Sequence, residues 1–225
     1  MFTSLLALAL AASPAAPLNT QGYRLYLAKK YPEALEKFRQ AVAADEGHAL
    51  SHYNLAATLG LLRSKGKVCE FDAYAGTIVG QLTRAVELDE GRRKRMQADR
   101  DFDSIRDTVG YQQLLGRKLD VAKDVRPVLV AVSWFTPGEG AFGPRYWLDF
   151  AANGTVSFVH REMEGDAVVK KKLGGRFVVK DFTVTLELAQ PWEDKRQLTG
   201  TLSADGRLNF EGLGVFSDDR SECDA

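Results

Sequence analysis

Proline is distributed very unevenly along the chain, and this constrains the fold more than any other feature. No proline occurs between Pro32 and Pro127, whereas three more prolines follow Pro127. Proline interrupts helices because it lacks a backbone N–H and clashes with the preceding turn, so the proline-free stretch permits long helices. All three tryptophans also lie after Pro127, where aromatic and β-branched residues favour strands. We therefore predict a helical domain over residues 18–124 and a strand-rich domain over residues 125–217.

Residues 1–17 have the pattern of a signal peptide. Leu5 to Ala12 form a continuous apolar run that ends at Ser13 and is followed by small residues suited to cleavage. We therefore expect the protein to be exported, either to a periplasm or to the exterior. Because no Lys or Arg precedes the apolar run, a disordered alanine-rich start or a mis-assigned start codon stays open as the alternative.

The overall composition is that of a globular protein, with 225 residues of which 45% are hydrophobic and 27% charged. Lys and Arg together number 30, as do Asp and Glu, so the formal net charge is zero. A nucleic-acid-binding protein usually has a strong basic excess, which is lacking overall here. No apolar run approaches the roughly 18 to 20 residues that cross a bilayer. We therefore predict neither a nucleic-acid partner nor stable membrane insertion.

The segment 19–45 has the spacing of an amphipathic helix that pairs with a second helix. Ala34, Phe38 and Ala41 are four and three residues apart, so they share one face of a helix. Gly22 and Ala34 are small, which allows two antiparallel helices to approach closely. These residues predict a helical hairpin over this segment.

This hairpin segment resembles a tetratricopeptide repeat, whose small, aromatic, alanine and large apolar positions are occupied here by Gly22, Tyr31, Ala34, Phe38 and Ala41. A second unit begins near Ala49, with Leu55 and Ala56 at repeat positions. That unit is degenerate, because its later positions fit only if about ten residues are inserted within the helical stretch 68–88. A third helical segment is predicted over 92–115. Residues 101–106 within it resemble the closing segment of many bacterial repeat proteins. We interpret it as a cap.

The resemblance implies a stack of helix pairs with a concave groove that binds a peptide or protein rather than catalysing a reaction. The groove positions of the family correspond here to Asn19, Tyr23, Tyr26, Tyr53 and Asn54. Tyrosine offers a large contact area at low entropic cost, which suits a peptide groove. Ordinary packing between helices stays open as the alternative role of these tyrosines.

After Pro127 the hydrophobic period changes to two. Residues 128–132 form a short apolar run typical of a buried strand, and Asn153-Gly154 is a strong hairpin signal. Seven or eight strands with turn signals between them predict an antiparallel barrel or sandwich, lipocalin-like by pattern. We expect either an interior that holds a small apolar ligand or one that is filled by side chains, namely Trp147, Phe158, Phe177, Phe182 and Leu186.

The chain offers little for catalysis or metal binding. His48 and His52 are four residues apart on a predicted helix, but no third ligand completes a metal site. No Ser, Cys or His stands in a pattern with a placed base, so we predict no enzyme activity and no cofactor. The run from Lys170 to Lys172 is interpreted as an exposed strand edge, where lysine discourages pairing with other chains.

Two cysteines in an exported chain suggest one disulfide, here between Cys69 and Cys223. It would join the second repeat to an acidic C-terminal tail, residues 218–225. Two separate thiols are the alternative that the sequence leaves open. The full prediction is thus a multidomain α + β protein, with a repeat-like hairpin stack followed by a β-barrel or sandwich. Its predicted function is the capture of a peptide or protein, and its alternative is the carriage of a small apolar ligand in the barrel.

Overall fold

The structure, a computed structural model, describes residues 13–136, 145–164 and 167–218. The chain forms two compact units, Met1–Phe102 and Asp103–Ala225, called here the helical unit and the barrel unit. The compact units divide between residues 102 and 103, whereas the sequence predicts a domain boundary after residue 124. Residues 1–12 of the predicted signal peptide lie outside the described residues.

The helical unit consists of consecutive helices whose small residues allow close packing. Gly22 lies against Phe38, because a Cβ atom at Gly22 would be 2.7 Å from the Phe38 ring. Ala34, Phe38 and Ala41 are buried, so the face predicted from their spacing is the packed one. The helices are α1 Ala15–Leu27, α2 Tyr31–Ala44, α3 Ala49–Ser64, α4 Val68–Phe71, α5 Ala75–Leu88 and α6 Gly91–Ala98.

Two predicted long helices are interrupted in the structure. The stretch 68–88 is divided between α4 and α5, because Asp72 adopts the left-handed conformation with φ 56° and ends α4. The stretch 92–115 is divided into α6, a 3₁₀ helix at Arg100–Ile105 and a short helix α7 at Val109–Leu114. The Thr108 hydroxyl caps α7 by accepting a hydrogen bond from the Tyr111 backbone N–H.

The barrel unit contains α7, α8 at Ala122–Ala131 and an eight-stranded antiparallel sheet in which each strand pairs with the next along the chain. The backbone groups of Phe135 and Ser217 exchange two hydrogen bonds, of 3.0 and 2.9 Å, which brings the first strand beside the last. The sheet is therefore a nearly closed barrel. The strands are β1 Trp134–Phe135, β2 Arg145–Phe150, β3 Thr155–Glu164, β4 Ala167–Lys180, β5 Thr183–Trp192, β6 Lys195–Leu202, β7 Leu208–Phe210 and β8 Gly214–Phe216.

This architecture confirms the α + β prediction with an antiparallel, barrel-like sheet, but the strand predicted at 128–132 is wrong. Residues 128–131 belong to α8, which contains Pro127 in its interior. A short continuous apolar run does not distinguish a buried strand from a buried helix by its period. Here Val125, Val128 and Leu129 bury one helical face at three- and four-residue spacing within the core of the barrel unit.

The barrel interior is occupied by side chains. Phe158, Phe177 and Leu186 are buried as predicted, and Phe182 is partly buried against the same core. Trp147 points to the outer face of β2 and is half-buried, so its predicted interior place is wrong. Trp134 is inside instead, where its indole N–H donates to the Leu129 carbonyl at 3.1 Å.

Candidate functional site

A cavity of about 190 Å³ lies in the helical unit beside α1, α3 and the segment after α6. Four of the five sequence-predicted groove residues line it, and the fifth, Asn19, is linked to them because its side-chain oxygen accepts from the Asn54 amide at 2.9 Å. The lining consists of Tyr23, Tyr26, Phe38, Tyr53, Asn54, Ala57, Arg95, Asp99 and Asp101. Sequence analysis thus identified residues that the fold brings together.

Helix α1 presents a tyrosine face because Tyr23 and Tyr26 are three residues apart. Their rings are parallel within 5°, with centroids 6.4 Å apart. Tyr23 is 45% exposed, so it offers its ring to a ligand, whereas Tyr26 is half-buried and contacts the edge of Tyr31. The outer end of the cavity is therefore an accessible aromatic surface.

The hydroxyl of Tyr26 donates to the carboxylate of Asp101 at 2.6 Å. Burial raises the pKa of Tyr26 above its ordinary value, and the hydrogen bond and negative charge of Asp101 raise this pKa further. Tyr26 is therefore a neutral hydrogen-bond donor with a fixed orientation, unsuited to act as a base.

The hydroxyl of Tyr53 makes an equivalent contact with a second carboxylate, because it donates a hydrogen bond to Asp99 at 2.8 Å. Burial is again the first cause that raises the pKa of this phenol, followed by the hydrogen bond to Asp99. The guanidinium groups of Arg92 and Arg95 lie 5.8 and 5.5 Å from the Tyr53 ring centroid. The ring edge packs against Phe102.

The segment 99–102 therefore covers part of the predicted groove. Two of the tyrosine hydroxyls predicted to contact a peptide are bonded to this segment, and Gly60 of α3 lies under the Asp101 carbonyl. Sequence reasoning interpreted 101–106 as a cap but missed that its carboxylates reach the tyrosines. It also missed Arg95, whose side chain lines the same cavity. The signal available was the spacing of two residues between Asp99 and Asp101.

The two histidines on α3 and before it have structural partners. One His52 ring nitrogen is 2.7 Å from the Gln81 side-chain oxygen, and the other is 3.0 Å from the Glu46 carbonyl. The His48 ring nitrogen is 2.7 Å from the Ser51 hydroxyl. Among the described residues, no group of three His, Cys, Asp or Glu side chains is placed to hold a metal ion.

The predicted disulfide falls partly outside the description. Cys69 lies in α4, whereas Cys223 lies outside the described residues. The pairing therefore stays a prediction.

No family of known proteins matches the chain, and no curated protein is similar to it. Within the part of the chain that the structure describes, no helix is both long and apolar enough to cross a membrane.

Proposed function

We propose that the helical unit binds a peptide or an extended protein segment without catalysing a reaction, and that it does so as an exported, tetratricopeptide-repeat-like module. The observation that carries the proposal is the cavity in which Tyr23, Tyr26, Tyr53 and Asn54 meet, since these are residues that the resemblance to the repeat family implicates. The close approach of Gly22 to Phe38 supports the repeat-like packing.

The cavity has the chemistry that a peptide needs. Tyr23 supplies a flat apolar surface for a side chain, and such anchors dominate binding energy in protein interfaces. The Asn54 amide offers both a donor and an acceptor at the cavity wall, which suits a peptide backbone. The exposed guanidinium of Arg95 adds a positive charge beside these groups.

A peptide selected on the purified protein from a random display library provides the test. We expect Tyr23→Ala to weaken its binding roughly tenfold or more, because truncating an anchor costs at least about 1 to 2 kcal/mol. Tyr74→Ala is the matched control, since Tyr74 is also exposed (38%), lies in the same unit and does not line the cavity. Fluorescence titration measures both affinities.

Equal binding by wild type, Tyr23→Ala and Arg95→Gln would contradict the proposal, because the peptide would then bind elsewhere.

The alternative function is carriage of an apolar ligand in the barrel, and nothing among the described residues favours it. The described interior contains buried aromatic and aliphatic side chains such as Phe158, Leu186 and Phe210. A lipid-sized mass in native mass spectra of the purified protein would support the carrier instead.

A further inference from the structure

Three cationic side chains lie directly opposite one another on neighbouring strands of the barrel. Arg145 of β2 pairs in register with Arg161 of β3, and Arg161 pairs with Lys170 of β4. Lys172 is two residues further along β4 and therefore projects from the same face. These four residues are called the basic face.

The basic face is on the outside of the barrel. Inward positions alternate with it along each strand, since Leu148, Phe158 and Phe177 are buried in the core. Arg161, Lys170 and Lys172 are exposed, and Arg145 is half-buried. The cations therefore face outward.

Like charges directly opposite one another destabilise a sheet. Among the described residues, no carboxylate forms an ion pair with any member of the basic face, since the ion pairs of the barrel unit involve other side chains. Facing cations repel one another, and an anionic partner would relieve this repulsion.

Lysine at an exposed strand edge discourages pairing with other chains, but this role explains only part of the basic face. The register of β4 with β5 covers Gly175–Lys180, so the lysine run pairs with β3, and edge lysines there discourage association with other strands. Arg161 is different, because it has paired neighbours on both sides. A function in edge protection does not account for it.

The surroundings of the basic face favour a lipid surface. Trp147 shares the face and is half-buried, with the Lys170 ammonium 5.9 Å from its ring centroid, so the ring is not open for stacking with bases. Val168, further along the outward face of β4, is 53% exposed. Tryptophan beside cations and an exposed aliphatic residue is the composition of a membrane-interface contact.

Asp218, the described residue of the predicted acidic tail, follows Ser217, whose backbone lies opposite Phe135 of β1. Asp218 then accepts a hydrogen bond from the Val109 N–H at the start of α7.

We propose that the basic face docks the protein on a membrane surface rich in anionic phospholipid, without insertion. Each cation near such a surface contributes roughly a fivefold gain in affinity. The contact is electrostatic, so it is weakened by salt.

The test compares sedimentation with vesicles of phosphatidylcholine plus phosphatidylglycerol and with vesicles of phosphatidylcholine alone. We expect the wild type to bind the anionic vesicles at low salt and the triple variant Arg161→Gln, Lys170→Gln, Lys172→Gln to bind roughly 100-fold more weakly. The control triple variant, Lys180→Gln, Lys195→Gln, Arg196→Gln, removes the same charge from exposed positions outside the basic face. It should bind nearly as the wild type does.

Three outcomes would overturn the proposal. In the first, the wild type fails to bind anionic vesicles at low salt. In the second, both triple variants lose affinity equally, which would indicate a response to net charge alone. Tighter binding to a single-stranded oligonucleotide than to the vesicles would assign the basic face to nucleic acid. Because every substituted side chain is exposed, far-UV circular dichroism should be the same for all variants.

Discussion

The hydroxyl of Tyr26 donates a hydrogen bond to the carboxylate of Asp101 at 2.6 Å, which joins α1 to the segment after α6 across a separation of 75 residues. Tyr53 of α3 makes the parallel contact with Asp99 at 2.8 Å. Two phenols predicted to contact a ligand thus also hold the segment that covers them. A ligand bound in this cavity would therefore contact groups that also stabilise the fold.

Removing the Tyr26 hydroxyl should destabilise the protein. We expect Tyr26→Phe to lower the free energy of unfolding by about 1 to 3 kcal/mol, because a partly buried hydrogen bond to a charged acceptor is lost. Tyr23→Phe is the control, since Tyr23 is largely exposed, and it should change stability by less than about 0.5 kcal/mol. Urea unfolding followed by circular dichroism measures both. Equal losses in the two variants would show that the contact with Asp101 is not specific.

The phenols of Tyr26 and Tyr53 should ionise only at unusually high pH. The raised pKa values of Tyr26 and Tyr53 mean that the folded protein retains protons which the unfolded chain releases near the ordinary tyrosine pKa of about 10. The stability they contribute is complete below that pH and is lost as the pH rises above it. An absorbance titration at the phenolate band should show a late phase that is absent from the double variant Tyr26→Phe, Tyr53→Phe. A wild-type titration without this phase would contradict the prediction.

Gly60 should not tolerate a larger residue. A Cβ atom at Gly60 would collide with the Asp101 carbonyl oxygen, so Gly60→Ala must displace the segment that carries the carboxylates, at a cost of about 1 to 3 kcal/mol. Gly76 and Gly80 of α5 have open space around the same position. Alanine there should stabilise the helix by up to about 1 kcal/mol. Thermal unfolding of the three variants gives the comparison, and similar melting temperatures would refute the tight contact.

Residues 128–132 show where sequence reasoning about the fold reached its limit. Alternation of period two identified the antiparallel sheet, because inward and outward positions differ along strands such as β5. A five-residue apolar run has no such contrast. Its helical conformation depends on packing, together with Val125, against the core of the barrel unit. The local sequence pattern carries no information about these tertiary contacts.

Only part of the candidate site could be predicted from the sequence, because local spacing identifies residues that share a helix face but not the course of a later turn. Asn19, Tyr23 and Tyr26 follow helical spacing, so their shared face could be read from the sequence. Asp99 and Asp101 reach the cavity through the turn after α6, whose course depends on its close packing against Gly60 of α3. Local periodicity carries no information about that course.

Because the barrel interior is packed, we predict that truncating a buried aromatic residue costs more stability than truncating one on the outer face. Phe158 is fully buried, so Phe158→Ala should cost about 3 to 5 kcal/mol of stability. Trp147 is half-buried on the outer face, so Trp147→Ala should cost clearly less although it removes a larger side chain. Chemical denaturation monitored by the fluorescence of Trp134 and Trp192 measures each loss. The opposite order would mean that the interior is loosely packed and able to accept a ligand.

The predicted pairing of Cys69 with Cys223 gives a direct chemical test. A disulfide that closes so long a loop stabilises the folded state by roughly 4 to 5 kcal/mol in the chain-entropy treatment. A proteolytic digest without reductant should therefore contain one peptide pair joined through these cysteines, and it should separate after reduction. Cys69→Ser should lower the midpoint of thermal unfolding of the oxidised protein while leaving that of the reduced protein nearly unchanged. Recovery of both cysteine peptides as unlinked species would refute the pairing.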